Sequence, residues 1–207
     1  MGWIRIDRVT WAERALWVAL VAAAIAPVAL TPGISDVARA YIDAINRGDV
    51  DAALALTGPG IVIRPFLGSE SRGPAQAREL LEHRAALKER WRVLSWKDTG
   101  KEAHADVEVT SDAWALVGIR PRTTVILVVR NGRLVYELAR TNQKPVRRAL
   151  RPFLLWAEEE HPREIDAIYR DRELVWRAGA AERLLALLEE WRADRSGVAE
   201  EPPRGQG

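Results

Sequence analysis

Sixteen consecutive residues without a charge, from Ala15 to Leu30, constrain this chain before anything else in it does. Wound as a helix they would reach about 24 Å, somewhat short of a ~30 Å hydrocarbon core but long for the apolar heart of a signal peptide. Trp11 and Trp17 sit toward one end, where an aromatic belt meets the membrane surface. Arg5, Arg8 and Arg14 precede the run and only Arg39 and Arg47 follow closely, an asymmetry that keeps the N-terminus inside and sends the rest across. The expected reading is a single-pass anchor in the cell membrane carrying an extracytoplasmic domain. A cleaved signal peptide is the second reading. Ala24 and Ala26 suit its small-residue positions, but Pro27 would follow the cut, and a cut after Ala29 would place Pro27 three residues before it. A buried core helix is the third, and it lacks the polar stripe such a helix would show.

The remainder is ordinary globular sequence. With 207 residues and 48% hydrophobic composition there is enough apolar material for one domain with appendages. Basic and acidic residues number 31 and 29, and no region has the basic excess that a phosphate backbone demands, so nucleic-acid binding is not expected. The absence of cysteine excludes disulfides, thiolate metal sites and cysteine nucleophiles.

Thr31-Pro32-Gly33 punctuates the chain after the apolar run, and Ser35 or Asp36 can cap the helix that follows. Val37, Ala40, Tyr41, Ala44 and Ile45 share one face of that helix. Gly48-Asp49 breaks it, Val50–Leu56 reads as a second short helix, Gly58-Pro59-Gly60 as a turn and residues 61–63 as a short strand. A further helix opens at Gly73-Pro74, with Ala77, Leu80, Leu81, Leu87 and Trp91 on one face. Strands are expected over 91–97 and 102–110. A hairpin joins 123–130 to 133–140 across Asn131-Gly132, a strong two-residue turn signal. Beyond Pro145 two helical stripes are predicted, one through Ile165, Ile168, Tyr169, Val175 and Trp176, the other through Ala181, Leu184, Leu185, Leu188 and Trp191. Glu158-Glu159-Glu160 reads as the acidic first turn of a helix. The organisation expected is an anchor segment over 1–33, a domain over 34–143, a helical extension over 144–195 and a disordered tail over 196–207.

The segment ARAYIDAINRGDVDAALALTGPGIVIRPFLG (residues 38–68), the Gly73-Pro74 helix and the closing VILVVRNGRLVYELAR hairpin (residues 125–140) together resemble the NTF2-like superfamily, which includes SnoaL-like and ketosteroid-isomerase-like domains. The resemblance implies an α+β fold, a cone made by a curved antiparallel sheet packed on N-terminal helices. It also places Tyr41 where the isomerases keep the tyrosine that donates to a developing oxyanion. Their general base would fall at Ile63-Arg64-Pro65, where Arg64 cannot take a proton. Their second acid would fall among Val125, Ile126 and Leu127, all apolar. Two of the three chemical groups are thus replaced, and the expectation is a non-catalytic domain that binds a small apolar or anionic ligand, or a protein partner, at the membrane surface. The alternatives are a SnoaL-like lyase or isomerase with a non-standard site, and a structural subunit of an envelope assembly.

Tyr41, Arg64 and Arg84 are the candidate ligand-binding residues. A tyrosine on an apolar face is most simply a core residue with a bonded hydroxyl. Arg64 could grip a carboxylate at a pocket mouth or form a surface ion pair. Arg84 falls among Leu80, Leu81 and Leu87, with its stem expected to snorkel outward. His83 lies off the apolar stripe, and His104 shares a wet strand face with Asp106. No metal or cofactor is expected, because His83, His104 and His161 sit on separate elements without ligand spacing. Arg147, Arg148 and Arg151 form a small basic cluster, read as a solvated face that could touch anionic lipid. The two C-terminal apolar faces need a partner surface and are expected to pack on each other, on the sheet or on a second chain, the last giving a possible homodimer.

Overall fold

A computed structural model describes residues 33–170, 173–176 and 179–198. The apolar run at 15–30 and the tail beyond Val198 lie outside these residues; among the described residues no helix is long and apolar enough to cross a membrane. The first helix, α1 (Ile34–Arg47), is capped by Gly33, whose N–H donates to the Asp36 carboxylate at 3.1 Å, so Asp36 closes the cap from inside the first turn. It ends at Gly48, which takes the left-handed conformation (φ 70°) that a side chain would resist. Asp49 then caps α2 (Val50–Ala55) by accepting from the Ala52 N–H at 3.0 Å.

Strand β1 (Thr57–Arg64) begins earlier than its apolar triplet suggests. The expected turn at Gly58-Pro59-Gly60 is part of the strand, within a register shift against its neighbour between Thr57 and Val62. A two-residue β2 (Ser71–Arg72) pairs back on it before α3 (Gly73–Ala86). Then come β3 (Arg90–Asp98), β4 (Ala103–Thr110), a short α4 (Asp112–Val117) capped by Ser111, and the hairpin of β5 (Arg122–Arg130) with β6 (Arg133–Arg140). Asn131 and Gly132 both have positive φ, as the tight turn requires. The sheet runs β2-β1-β6-β5-β4-β3 and is mixed, not purely antiparallel: β1 lies parallel to β6, because the chain returns to its first strand only after the whole hairpin is built. Helices α1 and α3 cover one face, and their apolar sides meet Ile61, Ile63, Val107, Leu127 and Leu134 in the first core.

The C-terminal part departs further from its periodicity. One long helix, α5 (Gln143–Glu160), runs through Pro145 and Pro152, and the three glutamates form its last turn, where they oppose the helix dipole instead of complementing it. After α6 (Pro162–Ile168) the expected stripe breaks. Tyr169–Arg170 and Glu173–Leu174 pair as two tiny strands, β7 and β8, and Val175 and Trp176 follow them outside any helix. The second stripe is a helix, α7 (Ala180–Val198), which buries Ala181, Leu184, Leu188 and Trp191 and continues past the point where the tail was expected to begin. These elements share a second core with Leu87 and Ala113 of the preceding domain, so the extension seats on α3 and α4 and leaves the outer sheet face uncovered. The described residues all belong to one compact unit.

Candidate functional site

Inside the sheet the chain buries a charged cluster. The α1 face that carries Val37 and Ile45 also carries Tyr41, which is fully buried, and its hydroxyl donates to Glu137 Oε2 at 2.7 Å. Glu137, on β6, is fully buried as well. Arg84, on α3, holds both its oxygens, donating to Oε1 at 2.7 Å and to Oε2 at 3.3 Å. Its Nε lies 3.4 Å from Glu89 Oε1, an oxygen that also accepts from the Trp91 indole N–H at 2.8 Å. The guanidinium carbon stands 5.0 Å from the centre of the Trp91 ring. Asn46 fixes this corner by bonding both the N–H (2.6 Å) and the carbonyl (3.0 Å) of Trp91, as a second neighbouring strand would on the open side of β3.

The electrostatics follow from burial. Desolvation pushes the Tyr41 hydroxyl well above its ordinary pKa and the nearby Glu137 pushes it further, so it stays a neutral donor. Burial raises Glu89 too, against the pull of Arg84. Burial alone would disfavour the Arg84 charge, but Glu137 and Glu89 more than offset it. Breaking such a pair strands a buried charge, at a cost on the order of 3–5 kcal/mol. The cluster has its hydrogen bonds made, and the spaces that adjoin it among the described residues are small: about 30 Å³ walled in part by His83, Arg84 and Glu89, and about 10 Å³ on the α1 side of Arg84.

Of the expected site residues, the structure brings Tyr41 and Arg84 together and leaves Arg64 apart. Arg84 turns inward with only 6% of its surface exposed, because a carboxylate waits inside for it; it does not snorkel. Arg64 is exposed on the outer face, paired with Glu70 beside the Tyr136 ring, and the following Pro65 and Phe66 face the small space in its place. His83 is buried, not off the core: 4% exposed, it meets the Trp176 indole edge-on at 4.9 Å, and neither ring nitrogen has a hydrogen-bond partner among the described residues. Burial lowers its pKa to about 4 and keeps the imidazole neutral. His104 pairs with Glu102, while Asp106 accepts from Ser95 and Thr124, so they form no acid–base couple. No group of three or more potential metal ligands occurs among the described residues.

Glu137 and Glu89 are the functional-looking residues that sequence reasoning missed. The resemblance puts an acid on β5, and the interior carboxyl instead comes from the adjacent strand, where Glu137 pairs with Leu127. The parity of β6 hid it. A register shift between Val128 and Val129 puts Val129 opposite Leu134 and Val128 opposite Tyr136, so Leu134 and Glu137, an odd number of residues apart, both point inward.

A larger cavity, of about 410 Å³, lies outside this cluster, between the domain and its C-terminal extension. Leu67, Leu87 and Trp114 form its floor, Phe153, Ile165 and Ile168 one wall, and Leu184 and Leu188 another. Leu67, Leu87, Trp114 and Leu174 also wall the small space, so one layer of side chains divides the two. Above the small space, Trp176 donates its indole N–H to the Ser69 carbonyl at 2.8 Å and packs so closely on Gly68 that a β-carbon there would enter its ring. A depression of about 500 Å³ beside α4 is bounded only by residues of one segment, Thr110 to Arg120, and is an open dish.

Residues 38–137 match the family model of the SnoaL-like domain, just under half of the chain. Among solved structures, an NTF2-like protein of unknown function from Cytophaga hutchinsonii is 12% identical, with 57% of this chain and 98% of that chain covered and a TM-score of 0.48. A putative polyketide cyclase from Sinorhizobium meliloti is 19% identical, covering 51% and 94% with a TM-score of 0.46. A second, from Xanthomonas campestris pv. campestris, is 21% identical, covering 55% and 93% with a TM-score of 0.45. No curated protein matches the chain.

Proposed function

We propose, from the premise that residues 38–137 are a SnoaL-like domain, that this chain is a binding protein for an apolar ligand and that its interior charged cluster is structural. The observation that carries this reading is the division of labour between two spaces. Tyr41, Arg84, Glu89 and Glu137 are tied to one another beside about 30 Å³, too little for a substrate, whereas the roomy cavity of about 410 Å³ is walled mostly by leucine, isoleucine and aromatic side chains. Ligand sites commonly have 300–1,000 Å³ and a mostly apolar lining. Isomerase-type chemistry needs an acid and a base facing the same substrate, and here Tyr41, Glu137 and Arg84 face each other. Residues 15–30 would hold this binding domain at the cell membrane, on the extracytoplasmic side, as a single-pass anchor.

A neutral naphthylamine dye tests the reading. Residues 32–207 should bind one dye per chain, saturably, with a blue-shifted emission. Leu154→Trp, on the cavity wall, should weaken binding by about tenfold or more without lowering the melting temperature. Unsaturable dye uptake, or equal binding by the variant, would overturn it.

A second reading, an enzyme with a non-standard site, is favoured by one observation: His83 and Glu89 converge on the small space with their protonation states pushed in opposite directions from the usual. It requires the layer around Trp176 to open toward the larger cavity. Turnover of a bound compound that disappears in Glu89→Gln would establish it over the first.

A further inference from the structure

We infer that the cavity takes a single-chain amphiphile with an anionic head, a carboxylate or a phosphate monoester, seated between Arg147 and Arg151. The inference rests on the apolar-binding reading and adds the chemistry and direction of the ligand. Helix α5 lines the cavity with Phe153 and, beside it, Arg147, Leu150, Arg151, Leu154, Leu155 and Glu158. Apart from Phe153, these stand at i, i+3, i+4, i+7, i+8 and i+11, one continuous helical face. At 1.5 Å per residue the face is roughly 16 Å long, so the cavity runs along the helix as a trough. Its ends differ in charge: two arginines lie at the N-terminal end and one glutamate at the other.

The arginines are not committed elsewhere. Arg147 donates to the neutral Gln143 side chain at 2.9 and 3.1 Å, and neither it nor Arg151 has a carboxylate partner among the described residues. That sets them apart from Arg64, Arg78, Arg84 and Arg92, which are all paired. Two unpaired guanidinium groups at the mouth of an apolar trough match a head with two or three acceptor oxygens and a tail without any. A neutral hydrocarbon would leave both charges unused, and a cation would be repelled at that end. Leu155, 54% exposed, is the most exposed large apolar side chain among the described residues and lies on the same rim, where a tail would pass on its way in. None of these α5 residues belongs to the segment matched by the SnoaL-like family, so the extension supplies the ligand selectivity that the domain itself lacks.

The experiment titrates residues 32–207 with parinaric acid and with its methyl ester. The acid should bind about tenfold more tightly than the ester. In the double variant Arg147→Gln/Arg151→Gln the two should bind alike, the acid losing its advantage and the ester keeping its affinity. Arg148→Gln, on the same helix but not facing the cavity, should preserve the preference. Displacement of parinaric acid by dodecyl phosphate as well as dodecanoate supports either head; displacement by one alone assigns the head to that one. Equal binding of acid and ester by the unaltered chain overturns the inference while leaving apolar binding intact. Binding of neither removes the reading on which it rests.

Discussion

Arg84 and His83 are neighbours on α3, both buried, and they keep different charge states for one reason: a carboxylate bonds the first, and among the described residues no hydrogen-bonding group reaches the second. Arg84 therefore remains an ion and His83 a neutral ring. The consequence is a pH dependence with a definite sign. His83 is near 6.5 in an unfolded chain and about 4 in the fold. Between those values the unfolded chain binds more protons, so stability is fully present above about pH 6.5 and is lost as pH falls toward 4. The loss from pH 7 to pH 5 is on the order of 2 kcal/mol. Glu89 acts the other way, because its raised pKa makes the fold lose stability as pH rises above its unfolded value, and it masks part of the His83 effect. The acid-sensitive part is isolated by comparing urea midpoints of the unaltered chain and His83→Phe at pH 7 and pH 5. The variant should lose markedly less on acidification. Parallel losses would show that His83 does not titrate as its burial requires.

Elements whose residues answer only to their own periodicity were legible, and those set by a distant partner were not. Helix α7 and the Asn131-Gly132 hairpin stand where spacing and turn chemistry put them, because local rules suffice for each. The order of the helices and main strands from residue 34 to residue 140 was legible for the same reason. The interior cluster was not: Arg84 meets Glu137 across 53 positions, and the inward facing of Glu137 depends on a bulge that no alternation pattern announces. Tyr169, Val175 and Trp176 read as helix because they prolong the spacing of Ile165 and Ile168, but Tyr169–Arg170 and Glu173–Leu174 pair as short strands and Trp176 lies against His83. Two apolar helical faces were expected to need a partner surface, and α3 and α4 provide it through Leu87 and Ala113. That contact predicts the effect of removing it. Residues 32–143 alone should melt at least about 5 °C below residues 32–207, or self-associate, since Leu87 and Trp114 lose their cover. Calorimetry with light scattering decides it, and an unchanged melting temperature and mass would make α5 to α7 a dispensable appendage.

At the scale of the whole molecule, an apolar run at residues 15–30 precedes a domain with an amphiphile-shaped trough, and the two features have a common logic. Anionic single-chain amphiphiles partition into membranes, so a protein that binds them gains from standing where they are concentrated. Two physical means could keep it there. One is electrostatic, through the exposed Arg147, Arg148 and Arg151, but the chain carries a net charge of only +2, and surface attraction of that kind fades beyond about 10 Å at 0.1 M salt. The other is hydrophobic insertion of sixteen uncharged residues, which salt does not weaken. The two separate cleanly on washing. The full-length chain should sediment with membranes, resist both high salt and alkaline carbonate, and leave only in detergent, while residues 32–207 should stay in the supernatant. Release by salt would assign attachment to the α5 arginines and remove the anchor. A supernatant form beginning near residue 27 or 30 would show that the run is cut away as a signal, and the binding domain would then act in the fluid beyond the membrane instead of on its surface.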